Sequence, residues 1–141
     1  MEDALEILNI DHLDKNFIWS DSSGLTTRLL GAAAGSERLY LNIDYVPPQA
    51  LSTKYHSHSQ QEEFFLILHG QGVLRLNNQE QPVKKGDFIA KPAGRNIAHT
   101  FYNPGNDTLV ILDAGTVEPE DTCYYPDDDT YLHKVNGEVQ E

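Results

Sequence analysis

The chain has 141 residues, enough for one domain with its own core and too few for a second of ordinary size. Asp and Glu number 22 against 10 Lys and Arg, a formal net charge of −12, which argues against nucleic acid or a membrane surface as partner. The single cysteine, Cys123, excludes an internal disulfide and a multi-cysteine zinc site, and it reads as a half-buried apolar residue.

The N-terminus is acidic and leads into no apolar run, and nothing approaches the roughly 18 apolar residues of a membrane span. A soluble, cytoplasmic protein is the expectation. Leu5, Leu8 and His12 fall at helical spacing and predict one short helix before Asn16. From Phe17 onward the pattern is strand and turn. Residues 26–30 are β-prone. In residues 38–46, Leu39, Leu41, Ile43 and Tyr45 share one face while Tyr40, Asn42 and Asp44 share the other, and Pro47-Pro48 ends the run. Residues 53–58 can extend. Residues 62–69 are apolar on both faces, as in a strand buried between two layers, with Phe64, Leu66 and Leu68 expected to pack on the second layer. Further strands are predicted over 73–77, 81–84, 88–91, 98–102 and 108–114, divided by turn-forming pieces such as Asn77-Asn78 and Pro92-Ala93-Gly94. Strands this short at this spacing predict an all-β sandwich or barrel. After Gly115 the chain is acidic and irregular, and Tyr124, Tyr125 and Tyr131 are expected to anchor it. The predicted organisation is an extension over 1–20, a barrel over 21–115 and a tail over 116–141 packed on the barrel.

Chemistry concentrates in the stretch from Tyr55 to Glu63. His56 and His58 stand at i and i+2, so a strand turns both imidazoles to one face. Glu63 opens the next apolar strand and shares a face with Phe65 and Ile67; His99 opens a later one. Three imidazoles and a carboxylate suit a divalent first-row metal. A carboxylate on an otherwise apolar strand also needs a partner, because an unpaired buried charge is costly. Phe65, Ile67 and Phe101 share the face of these residues and are pocket candidates, as is Lys54, which has the parity of His56 and His58. Arg95 and Asn96 lie in the loop before His99 and are candidates for anchoring an anionic substrate. Glu62 faces the other way and reads as a rim charge; His12, His69 and His133 read as surface residues. No serine elbow, reactive cysteine or nucleotide motif is present, so no catalytic residue is assigned.

These residues fall in a pattern that resembles the cupin family. Its first motif is G-x5-HxH-x3-4-E-x6-G, and His56, His58, Glu63 and Gly70 match, with Ala50 in place of the leading glycine. Its second is G-x5-PxG-x2-H-x3-N, and Gly86, Pro92, Gly94, His99 and Asn103 match in order, with four residues rather than two between Gly94 and His99. The resemblance implies a double-stranded β-helix, or jelly-roll, barrel. It implies one divalent metal (Fe, Mn, Ni, Co or Zn) inside one mouth, held by His56, His58, Glu63 and His99. Such a centre suits a metal-dependent enzyme, whether oxygenase, isomerase or lyase, acting on a small polar molecule such as a sugar derivative or an organic acid. The alternative is a non-catalytic module that binds or senses a small molecule. Because cupins associate through barrel edges, a homodimer is expected.

Overall fold

The computed structural model describes residues 5–140. In chain order its strands are Ile18–Ser20 (β1), Thr26–Leu29 (β2), Leu39–Val46 (β3), Ser57–His58 (β4), Glu63–His69 (β5), Gln71–Leu76 (β6), Gln79–Lys84 (β7), Phe88–Lys91 (β8), His99–Tyr102 (β9), Leu109–Thr116 (β10), Thr122–Tyr125 (β11), Thr130–Val135 (β12) and Glu138–Gln140 (β13). One short helix, Leu30–Ala34 (α1), lies between β2 and β3. Six strands form one antiparallel sheet in the order β1-β2-β3-β10-β5-β8. The opposing layer consists of β7-β6-β9 and β13-β12-β11-β4, joined where Leu51 pairs with Tyr102 and His56 with His99. Phe65, Ile67, Leu109 and Ile111 from the first layer meet Leu74 and Phe101 from the second in one buried cluster. Each such side chain contributes about 1.5–3 kcal/mol of apolar burial. This is the all-β jelly-roll expected from the strand spacing.

The inner face of β3 is its polar one. The β3–β10 register sets Asp44 opposite Ile111 and Tyr40 opposite Gly115, so Tyr40, Asn42 and Asp44 look into the barrel. The apolar alternate face looks outward, where α1 packs across the strand. That packing requires Gly31, because a Cβ there would stand 2.8 Å from the Leu41 backbone nitrogen.

Three expectations change. The N-terminal residues form two single 3-10 turns, Ile10–His12 and Lys15–Phe17, instead of a helix. The side chains of Asn9 and Asp14 cap these turns, and Leu5, at 97% exposure, finds no surface to bury against. The tail is not irregular: residues 122–140 form three strands, and β11 pairs with β4 to bring the tail beside His58. Phe64 and Leu68 are not core, at 40% and 36% exposure, because the outer face of β5 has no layer over it. Among the described residues, no helix is long and apolar enough to cross a membrane.

Candidate metal centre

One end of the barrel opens as a cavity of about 860 Å³, with Phe65 and Phe101 belonging both to its wall and to the core beneath. His56, His58 and Glu63 converge in it. The two Nε2 atoms are 2.9 Å apart, and His58 Nε2 is 3.5 Å from Glu63 Oε1. Ligands bound at about 2.1 Å to one first-row metal and set at right angles lie about 3 Å apart, so the spacing fits. The tautomers fit too. His56 Nδ1 donates to the Lys54 carbonyl at 2.7 Å, and His58 Nδ1 donates to Asp121 at 2.6 Å. Both Nε2 lone pairs therefore face inward, an arrangement that calls for a cation between them. Without a metal, that cation is a proton on His58. Burial opposes its charge, but contacts with Cys123 and Glu63 override this and lift its pKa to about 10. Burial and the neighbouring His58 and Lys91 charges hold His56 down at about 4, so it is neutral and ready to ligate at physiological pH.

Glu63 is 4% exposed and reaches the cavity from the first residue of β5. The Tyr40 hydroxyl donates to its Oε2 at 3.2 Å. Tyr40 crosses the sheet to do so because Gly115 lies between them, where a Cβ would come within 2.6 Å of the Tyr40 ring. Glu63 Oε1 accepts no well-aligned hydrogen bond, although the Lys91 ammonium lies 2.9 Å away. The Lys91 contact is a charge contact, and the buried oxygen lies between the Lys91 ammonium and His58 Nε2. Burial alone would raise the Glu63 pKa, yet His58 and Lys91 drive it well below the ordinary carboxylate range.

His99 stands apart from this trio. His56, His58 and Glu63 keep their donor atoms within 4.8 Å of one another, and His99 is not in that group. Its Nδ1 lies 4.0 Å from Glu63 Oε1 and 2.8 Å from Lys91 Nζ. An ammonium only donates, so Nδ1 accepts and the ring proton sits on Nε2. Lys91, 2% exposed at the end of β8, also donates to the His56 carbonyl at 3.2 Å. Burial depresses its pKa, partly offset by Glu63.

The other predicted pocket residues divide. Phe65, Phe101 and Lys54 line the cavity; Lys54 is 66% exposed and pairs with Asp128. Ile67 is core, at 2% exposure, and borders a separate, smaller cavity. Arg95 and Asn96 are exposed and line neither; Asn96 serves the turn with a left-handed φ of 56°. Sequence reasoning missed Lys91, Asp121, Tyr40, Asp44 and Asp113. Lys91 shares the parity of Ile89 and could have been read as inward-facing. Asp121, in the acidic tail, carried no such signal.

Asp121 is 1% exposed and accepts from the Gln60 and Gln61 backbone at 2.8 and 3.0 Å as well as from His58. It thereby fixes the orientation of the His58 ring. Asp121→Asn is expected to weaken metal binding about 10–100-fold, since the amide places a donor or a weaker acceptor against Nδ1–H. Isothermal titration of the metal-free protein with Zn²⁺ or Mn²⁺ checks this; unchanged affinity would remove Asp121 from the site.

Asp44 and Asp113 lie on the same inner face, and burial raises both pKa values, Asp113 further because Asp44 is beside it. Acids whose folded pKa is raised favour folding fully below the unfolded value near 3.8 and lose that contribution as pH rises through the folded value. Asp113→Asn should therefore gain stability over wild type progressively as pH rises from about 4 to 8. Thermal melts across that range, with a constant difference, would contradict it.

A family model for the cupin domain matches residues 43–115, which hold the His56, His58 and Glu63 cluster and His99. A crystal structure of a sugar phosphate isomerase from Silicibacter pomeroyi superposes with a TM-score of 0.79 at 31% identity, covering 82% of this chain and 74% of that one. A protein from Acidithiobacillus ferrooxidans, provisionally named a sugar phosphate isomerase, gives 0.79 at 32% identity, covering 84% and 75%. An oxalate-binding protein of Thermotoga maritima is 34% identical over 65 residues, 46% of this chain and 52% of that protein. The matched stretch spans little more than half the length of the curated relatives. The jelly-roll layers, the two motifs on facing strands and these matches agree, and the chain belongs to the cupin family.

Proposed function

We propose that His56, His58, Glu63 and His99 hold one divalent first-row metal, Fe, Mn, Ni, Co or Zn, and that the chain is a metal-dependent enzyme acting on a sugar derivative in the adjoining cavity. The observation that carries this reading is the convergence of His56 Nε2, His58 Nε2 and Glu63 Oε1, with the two nitrogens 2.9 Å apart and the carboxylate 3.5 Å from His58. A bound divalent metal would supply Lewis-acid polarisation of a substrate carbonyl or hydroxyl. The protein's own contributions are separate from that. Asp121 and the Lys54 carbonyl orient the two histidines, Tyr40 holds Glu63, and Phe65 and Phe101 exclude water from the floor. Among sugar derivatives and organic acids, the two isomerase structures, which cover most of this chain, favour the former.

The reading is tested by metal analysis of untagged protein, followed by NMR of aldose phosphates with metal-free and reloaded protein. About one metal per chain and metal-dependent conversion to ketose phosphates are expected. A retained metal with every sugar recovered unchanged would favour the second reading, a binding module like the Thermotoga oxalate-binding protein. No metal after reconstitution would reject both the ligand set and the enzyme.

A homodimer, in the cytoplasm, belongs to the same reading. Phe88 is 70% exposed and stacks with the exposed Phe64 at 5.9 Å between ring centres, on the uncovered outer face of β5 and β8. A second copy is the proposed cover. Light scattering should give twice the chain mass, and Phe64→Lys with Phe88→Lys should halve it without loss of metal. A wild-type mass of one chain would reject the dimer.

A further inference from the structure

The cavity wall formed by the six-stranded sheet ends at its rim in an aromatic residue that the metal centre does not use. Trp19 on β1 pairs with Thr27 on β2, and Thr27 pairs with Asp44 on β3. Residues directly opposite on antiparallel strands point to one face, so these three side chains form a row across the inner face of the sheet. All three line the cavity. The row runs from rim to interior: Asp44 and Thr27 are buried, whereas Trp19, on the outermost strand of the sheet, is 49% exposed. Its indole therefore belongs to the cavity mouth and not to the core.

What can lie on that indole is constrained by its neighbours. Asp21 lines the same rim, and the Thr27 hydroxyl donates to Asp44 at 2.9 Å. A hydrocarbon would cover these polar groups without hydrogen-bonding to them, which is costly. A phosphate placed against the indole would meet the Asp21 carboxylate. A sugar ring meets neither penalty. Its flat array of C–H bonds packs on the electron-rich face of the indole, and the hydroxyls around it can donate to Asp21 and Asp44. The lysines of the cavity stand on the opposite layer, Lys54 just before β4 and Lys134 on β12. A phosphate carried by the same sugar is thereby directed across the mouth, away from the acidic rim.

We propose that Trp19 is a specificity-determining residue: a stacking platform that receives the sugar in its cyclic form at the cavity mouth. The inference rests on the sugar-derivative reading above and deepens it, by choosing a ring over an open chain. An open chain has no flat C–H face to lay on the indole and gains little from it.

The test compares anhydroglucitol phosphate, a pyranose that cannot open, with glucitol phosphate, its open-chain counterpart. Both are titrated by calorimetry into Zn²⁺-loaded protein, and tryptophan emission is followed in parallel, because Trp19 is the single tryptophan of the chain. The cyclic probe should bind about tenfold more tightly and shift the emission. Trp19→Ala should lose about tenfold for the cyclic probe and less than about twofold for the open chain, with zinc content unchanged; Trp19→Phe, with a smaller ring, should lose about threefold. Equal affinities for the two probes, binding with unmoved emission, or a folded Trp19→Ala variant that keeps the wild-type preference overturns the proposal. Emission that shifts on diluting the protein and not on adding sugar also overturns it, since the indole then belongs to a contact between copies. If Trp19→Ala fails to fold, the wild-type comparison and Trp19→Phe decide. Protein that takes up no Zn²⁺ yet binds the cyclic probe with shifted emission would refute the metal site and support the platform. Zn²⁺-loaded protein that ignores the cyclic probe would refute the platform alone.

Discussion

Glu63→Gln is expected to lower metal affinity at least a hundredfold and to destabilise the metal-free protein by about 3 kcal/mol. The first effect follows from charge. The amide is nearly the shape of the carboxylate but brings no anion to the cluster with His56 and His58, and its Nε2 donor end competes for the position of the ligating oxygen. The second follows from Lys91. Its ammonium is 2% exposed and 2.9 Å from Glu63 Oε1, and its other partners are the neutral His99 Nδ1 and the His56 carbonyl. Removing the one anion in contact with a buried cation leaves its desolvation uncompensated. Urea denaturation in the presence of a chelator measures the second effect, and metal titration the first. A metal-free variant as stable as wild type within about 0.5 kcal/mol would show that the Lys91–Glu63 pair is not formed as described.

Lys91→Met should have opposite signs in the two states. Lys91 and a metal are both cations that use Glu63, so they compete for it. Without metal, the methionine leaves the protonated His58, 3.5 Å away, as the remaining counter-charge of the buried carboxylate, and a loss of about 3 kcal/mol is expected. With metal, the carboxylate is satisfied, the like-charge repulsion is gone, and His99 Nδ1 loses the donor that occupies its lone pair. Metal affinity should rise at least about tenfold. The metal-induced rise in melting temperature should then exceed that of wild type, because stabilisation grows with the ratio of ligand concentration to dissociation constant. Methionine fills a similar volume, so packing loss is small. Co²⁺ absorption provides a separate reading, since closer binding of His99 to the metal, once Lys91 no longer occupies its Nδ1, changes the visible bands. If affinity falls and the spectrum loses intensity, Lys91 is a support that holds His99 in place rather than a competitor.

Much of the centre could be read before any fold was known. His56 and His58 were paired by i, i+2 parity, Glu63 by its place on an apolar strand, and the turn glycines and prolines marked most strand ends. Parity also put Phe65 and Phe101 on the cavity side, where they lie. It failed where a face had to be assigned to inside or outside. Alternation alone left the two faces of β3 unassigned, and it is Tyr40, Asn42 and Asp44 that line the cavity while the apolar face carries α1. The outer face of β5 was expected to be core, yet Phe64 and Leu68 are apolar and uncovered.

The sequence by itself determined the strand-and-turn character of the chain, the all-β class and the histidine-carboxylate cluster, because these depend on local periodicity and short spacing. Only the tertiary structure decided that Lys91 neutralises Glu63 and holds His99, that Asp121 from the tail orients His58, and that Asp44 and Asp113 share the cavity. Those partners come from β3, β8, β10 and the stretch before β11, dozens of residues apart. Their meeting depends on strand order and register across the sheets, which hydrophobic burial of the whole core sets and no local pattern encodes.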